Sequence, residues 1–130
     1  MQEETVKKKI LIIDDEKDFT KIVKSNLERT GRYEVKTENK GSLGLDVARA
    51  FNPDLILLDI LMPDMEGSEV AYQLKNDKDT KNIPVVFLTA VVKKEEVETS
   101  SGVIGGHPFI AKLTDIKELI AHIEENINKK

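Results

Sequence analysis

Apolar residues fall along this chain in two alternating patterns. Residues 9–13, 33–37, 55–58, 85–88 and 109–111 are short stretches rich in Ile, Leu, Val and Phe, and they are predicted strands. The first, third and fourth are almost continuously apolar, as in strands covered on both faces; the second alternates and is expected at an edge. Between them the period becomes helical. Phe19, Ile22, Val23 and Leu27 recur at i, i+3, i+4 and i+8, with Gly31 where a helix commonly stops. Ile116, Leu119, Ile120, Ile123 and Ile127 form a second stripe, with Thr114 or Asp115 available as its cap and Lys129-Lys130 suited to the far end of its dipole. Shorter helices are expected over residues 42–51 and 66–75, although Gly44 costs the first about 1 kcal/mol relative to alanine. Residues 93–97 begin another helical segment. Residues 99–102 and Gly105-Gly106 break it, so a short fourth helix is expected there.

Strand and helix thus alternate five times, the pattern of βαβ units around a parallel sheet, so the fold class is α/β. Right-handed crossovers with helices on both faces lead to a flavodoxin-like (βα)5 three-layer sandwich with strand order 2-1-3-4-5. A chain of 130 residues is one domain's worth. Residues 1–8 are polar and read as a flexible leader, leaving residues 9–130 as the domain. There are no cysteines, which fits a reducing compartment, and a cytoplasmic location is expected. The net charge of −4 and the single basic run Lys7-Lys8-Lys9 argue against a direct nucleic-acid surface. Ile10-Leu11-Ile12-Ile13 stops at Asp14-Asp15, too soon for a signal core or a membrane span. Neither glycine cluster has the spacing of a nucleotide-binding loop.

In sheets of this kind ligands bind beyond the carboxyl ends of the strands, where the winding reverses. The first strand ends in Asp14-Asp15-Glu16 and the third in Asp59, which the topology makes neighbours. Crowded carboxylates disfavour one another's ionisation, and a cation relieves this. An oxygen-only set without His or Cys selects a hard ion, and Mg2+ fits best. The fourth strand ends in Thr89-Ala90 and the fifth is followed by Lys112. A carboxylate, a bound Mg2+, a hydroxyl and an ammonium around one cavity describe a phosphoryl-transfer site with Asp59 as nucleophile. Taken singly, each residue has an ordinary reading as a helix-dipole acid, a turn starter, a strand-end hydroxyl or a surface charge. Their order at successive strand ends carries the functional one. His107 and His122 lack metal-spaced partners and are expected at the surface.

The segments ILIIDDEKDF, PDLILLDILMPDMEG, IPVVFLTA and PFIAK resemble the receiver domains of two-component response regulators, in single-domain form, over about residues 9–128. The resemblance implies that Asp15 ligates the metal directly, Asp14 partly through water, and Leu61 through its carbonyl. It makes Asp59 the phosphoacceptor, Thr89 the switch hydroxyl, Lys112 the active-site lysine and Phe109 the aromatic that moves on switching. Pro63 and Gly67 match the turn after the acceptor, where glycine suits a tight backbone. The chain departs from the family at Lys112-Leu113, where a Lys-Pro pair with a cis peptide is usual, and at His107-Pro108.

The implied function is a phosphoacceptor switch of a two-component or phosphorelay system. It would take a phosphoryl group from a sensor histidine kinase or a histidine phosphotransfer protein, and would catalyse only its own phosphorylation and dephosphorylation rather than act as an enzyme on others. Phosphorylation would repack the surface of the fourth helix, fifth strand and last helix for a downstream protein target, with dimerisation on phosphorylation left open. No membrane contact is expected. Leu61 and Val91, both apolar, lie where the family tunes access of hydrolytic water, so a long-lived phosphoryl state is expected. The alternative is a pseudo-receiver, an interaction module that works without phosphorylation. An aspartyl phosphohydrolase ranks lower, because its Asp-x-Asp pattern fails at Leu61.

Overall fold

The computed structural model describes residues 6–90, 103–104, 107–112 and 114–128. Strand β1 (Lys8–Ile13) leads into helix α1 (Lys17–Arg29), then β2 (Tyr33–Glu38), a 3₁₀ turn (Gly41–Leu43) continuous with α2 (Gly44–Phe51), and β3 (Leu55–Asp59). Helix α3 (Gly67–Lys75), β4 (Val85–Thr89), β5 (Val103–Ile104), β6 (His107–Ala111) and α4 (Ile116–Ile127) follow. Five strands run parallel in the order β2-β1-β3-β4-β6, and the two-residue β5 pairs antiparallel with β6 at the margin. This is the expected 2-1-3-4-5 winding with β6 as its fifth parallel strand. The helix expected from residue 93 lies outside the described residues, as does the leader up to residue 5. Lys8, assigned to that leader, already pairs with Tyr33 in β1.

Continuous apolar runs become two cores because alternate side chains of a strand point to opposite faces. Ile10, Ile12, Leu55, Leu57, Val86, Leu88 and Ile110 meet Val23 and Leu27 of α1 and Leu119, Ile123 and Ile127 of α4. Their neighbours Leu11, Ile13, Ile56, Leu58, Val85, Phe87 and Phe109 meet Ala48 of α2 and Val70, Ala71 and Leu74 of α3. Each fully buried aliphatic side chain stabilises the fold by about 1.5–3 kcal/mol, so both faces of the central strands are pinned and their register is fixed.

Local chemistry sets the ends of these elements. Asp115 caps α4 by accepting from the Glu118 N–H at 2.8 Å. Asn52 ends α2 in the left-handed region, φ 51°, which asparagine tolerates better than most residues. Gly44 sits early in α2 because a Cβ there would lie 3.0 Å from Ile13 Cδ1 and 3.1 Å from Val70 Cγ1. Its propensity cost is offset by close packing on β1 and α3. At the outer edge of β2, Glu28 accepts from the Val35 N–H at 3.1 Å and Lys24 donates to the Val35 carbonyl at 3.0 Å. Side chains of α1 thus occupy backbone groups that an open sheet edge would offer to another chain.

Candidate functional site

Register brings the carboxyl ends of four strands to one place. Ile13 lies opposite Leu58, Asp59 opposite Leu88, and Thr89 opposite Ala111. The Lys112 N–H donates to the Thr89 carbonyl at 2.9 Å, which carries the chain past the end of β6 into the same mouth. Asp14, Asp15 and Asp59 each present a carboxylate oxygen, and these atoms lie within 4.8 Å of one another. Asp14 is wholly buried and Asp59 is 5% exposed. Asn39 donates to the Asp14 carbonyl at 2.8 Å, and Asp14 Oδ1 accepts from the Glu16 N–H at 2.9 Å, so the acidic run is fixed as the chain turns into α1.

Among the described residues, one cation faces this cluster. The Lys112 ammonium donates to Glu16 Oε1 at 2.5 Å and lies 2.8 Å from Asp14 Oδ2 and 3.6 Å from Asp59 Oδ2. Its contact with Asp14 Oδ2 is an ion pair rather than an aligned hydrogen bond, which leaves that buried oxygen with unspent acceptor capacity. Burial pushes the Asp14 carboxyl up, against the pull of Lys112 and the Glu16 N–H. Burial and then the charge of Asp14 push Asp59 up to about 7, with Lys112 and the Leu61 N–H opposing. Burial works against the charge on Lys112, yet its close contacts with Asp14 and Glu16 raise it above the usual lysine range, so it stays an ammonium. Three close carboxylates, a buried oxygen with spare acceptor capacity and, among the described residues, no nitrogen or sulfur ligand suit a hard divalent cation such as Mg2+.

Asp15, Asp59, Leu61, Thr89, Ala90 and Lys112 help line a cleft of about 430 Å3 above the cluster. Another cavity, of about 310 Å3, opens at the opposite end of the strands beside Lys75, Thr80, Asn82, His107 and Asn126, with no acid in its lining. Chemistry rather than size separates the two. The loop after β3 is drawn tightly around the site. The Gly67 N–H donates to the Ile60 carbonyl at 2.7 Å, and a Cβ at Gly67 would sit 2.2 Å from the Asp59 carbonyl oxygen. Asp64 accepts from the Gly41 and Ser42 N–H groups at 3.1 and 3.0 Å, tying this loop to the start of α2; those bonds hold its carboxyl below the usual carboxylate range.

The structure therefore brings together Asp14, Asp15, Asp59, Leu61, Thr89 and Lys112. Phe109 stands apart from the cleft: it is 7% exposed and packs in the α2–α3 core with Phe87. The Leu61 side chain is 73% exposed. The Lys112-Leu113 peptide and Val91 lie outside the described residues. His107, expected at the surface, is half-buried with its ring edge-on to Phe87 at 5.5 Å; burial and then Lys75 push its pKa down. Sequence reasoning missed Glu16 and Phe19 as partners of Lys112. Glu16 stood in the acidic run and Phe19 in the core stripe, but nothing local signals a contact spanning 96 residues. Asp64 was also missed, and its place in the turn after Pro63 was the available signal.

The family model described as the response regulator receiver domain matches residues 10–124. The nisin biosynthesis regulatory protein NisR of Lactococcus lactis subsp. lactis is 38% identical over 93% of this chain and 51% of its own length, so the chain spans about half of that relative. The N-terminal domain of a response regulator receiver protein from Methanoculleus marisnigri JR1 is 36% identical, with TM-score 0.67, over 90% of this chain and 94% of that one. The chemotaxis protein CheY4 of Vibrio cholerae superposes with TM-score 0.79 at 26% identity, covering 93% and 99% of the two chains. Among the described residues no helix is long and apolar enough to cross a membrane.

Proposed function

Since this chain belongs to the response regulator receiver family, we propose that it is a phosphoacceptor switch in which Asp59 takes a phosphoryl group from a phosphohistidine. Receiver domains are signalling switches rather than enzymes acting on a separate substrate. The observation that carries the reading is the meeting of Asp14, Asp15 and Asp59 within 4.8 Å under an open cleft, with the Lys112 ammonium 3.6 Å from Asp59. An Asp59 carboxylate oxygen bonds to phosphorus as the P–N bond of the donor breaks. The electron pair returns to the imidazole nitrogen, which takes up a proton. Lys112 sits where it neutralises charge gathering on the transferring oxygens, and Thr89 supplies a hydroxyl at the same rim. Asp14, Asp15, Asp59 and the Leu61 carbonyl would hold Mg2+, which supplies further neutralisation of those oxygens.

The donor is a sensor histidine kinase or a histidine phosphotransfer protein, and the output is contact with a downstream protein. Phosphorylation draws Thr89 inward and shifts Phe109 between two packings, which changes the surface beside β6 and α4. Incubation with acetyl phosphate and intact-mass analysis tests this. The wild type is expected to gain one phosphoryl group only with Mg2+, and Asp59→Asn to gain none. An unmodified wild type at saturating Mg2+ would instead favour a pseudo-receiver that binds partners without phosphorylation.

A further inference from the structure

The Lys112 ammonium is closer to a residue outside the acidic cluster than to the acceptor. It is 2.5 Å from Glu16 Oε1 but 3.6 Å from Asp59 Oδ2, although the surplus of negative charge lies deeper, around Asp59. Its fourth neighbour is an aromatic face, the Phe19 ring, 4.9 Å from the ammonium to the ring centre. Glu16 and Phe19 stand three residues apart across the first turn of α1, a spacing that puts both on one side of a helix. Glu16 is pinned as the residue that opens α1: its N–H is held by Asp14 and its carbonyl accepts from the Thr20 N–H at 3.1 Å. Its carboxylate is 60% exposed at the mouth of the cleft, whereas Asp14 is buried on the floor.

We propose that Glu16 and Phe19 are positioning residues that hold Lys112 at the mouth of the site in the resting protein, so that an incoming phosphoryl group must win the ammonium from Glu16. The inference rests on Asp59 being the acceptor. Glu16 touches neither the acceptor carboxylate nor, in this arrangement, the transferring group; it acts through Lys112. Because the ammonium has three N–H groups, it can keep Asp14 while exchanging Glu16 for a phosphoryl oxygen. The Glu16 pair is thus a brake on phosphorylation that is released by the reaction itself.

The test uses the full chain, with Glu16→Gln, Glu16→Asp, Phe19→Leu and Phe19→Tyr. Glu16→Asp keeps the charge but shortens the reach, which separates a direct hold from general repulsion of an anionic donor. In the wild type, the Lys112 ε-methylene NMR resonances are expected upfield, shifted by the Phe19 ring. Phe19→Leu removes that shift, Phe19→Tyr retains it, and both Glu16 variants reduce it. With acetyl phosphate and Mg2+, the half-saturating donor concentration is expected to fall about two- to fivefold in both Glu16→Gln and Glu16→Asp, the range set by an ion pair whose carboxylate is solvent-exposed. A Glu16→Asp protein that matches the wild type while Glu16→Gln does not would overturn the hold in favour of charge alone. Lys112 resonances unchanged by either Glu16 variant would overturn it outright. Failure of the wild type to be phosphorylated would refute the acceptor reading, whereas the NMR outcome bears on the Lys112 clamp by itself.

Discussion

Two carboxylate–cation contacts in this fold have opposite electrostatic character. On the surface, Arg49 of α2 reaches Asp77 beyond α3, donating from Nε at 3.0 Å and from its terminal nitrogen to the same oxygen. That bonding, with help from the Asp79 N–H, holds the Asp77 carboxyl below the usual carboxylate range. In the cleft, Lys112 faces Asp14, Asp59 and Glu16 at once, and burial pushes Asp14 and Asp59 up despite the cation. The first pair is open to water on its Arg49 side and is locally balanced, one cation to one acid. The second has several acids for one ammonium in a place water leaves, so the resting protein keeps a deficit of positive charge. A pair of the first kind links neighbouring elements. An arrangement of the second kind is unfavourable until a cation arrives, which is a property of a site rather than of a scaffold.

The contrast is broken most severely through the backbone that shapes the deep site. Gly67→Ala places a Cβ 2.2 Å from the Asp59 carbonyl oxygen, and main chain cannot yield there without moving the acceptor. A loss of about 3 kcal/mol is expected, seen as a lower urea midpoint; an unchanged midpoint would show that the loop after β3 is slack.

A smaller effect sharpens the electrostatic half of the contrast. Asp59 has a folded pKa of about 7, raised above the roughly 3.9 of an unfolded aspartate. Between these values the folded state binds more protons than the unfolded one. The stability contributed by Asp59 is therefore fully present below about pH 4 and lost as pH rises through about 7. Without divalent ions, the melting temperature of the wild type should fall relative to that of Asp59→Asn across this window. With allowance for solvent screening the difference is on the order of 1 kcal/mol, about 4 °C for a domain of this size. Saturating Mg2+ should close the gap by stabilising the ionised wild type. A wild type and variant with parallel pH profiles would remove the basis for calling the site poised.

The smallest effect belongs to the Arg49–Asp77 pair. Arg49→Ala should lower the melting temperature only slightly, because the guanidinium is 46% exposed and Asp77 keeps the Asp79 N–H as a donor at 3.0 Å. A clear drop would mean that Asp77 depends on its cation as much as the crowded acids of the cleft do on theirs.

Much of this was legible in the order of residues. Continuous runs such as Leu55–Asp59 and the stripe from Ile116 to Ile127 report burial with the period of their own element, and burial is repeated every second or every three to four residues. Parallel winding then leaves few ways to arrange five such units, so the meeting of Asp14, Asp15, Asp59, Thr89 and Lys112 could be expected from strand ends alone. The burial of His107 against Phe87 could not, because a lone histidine at a strand start carries no periodic signal and its environment is supplied by β4 and α3.

The α/β architecture, the two-sided core and the set of polar residues at one end of the sheet follow from the order of residues, because each depends on local patterns and on where they stop. The folded chain alone reveals that Lys112 leans on Glu16 and Phe19 rather than on Asp59, that Gly67 sits against the acceptor's carbonyl, and that burial lifts Asp59 to about 7. Those facts depend on distances between residues far apart in the chain and on how completely water is excluded around them. Coulomb energy and desolvation change steeply with both, and neither is written in local spacing.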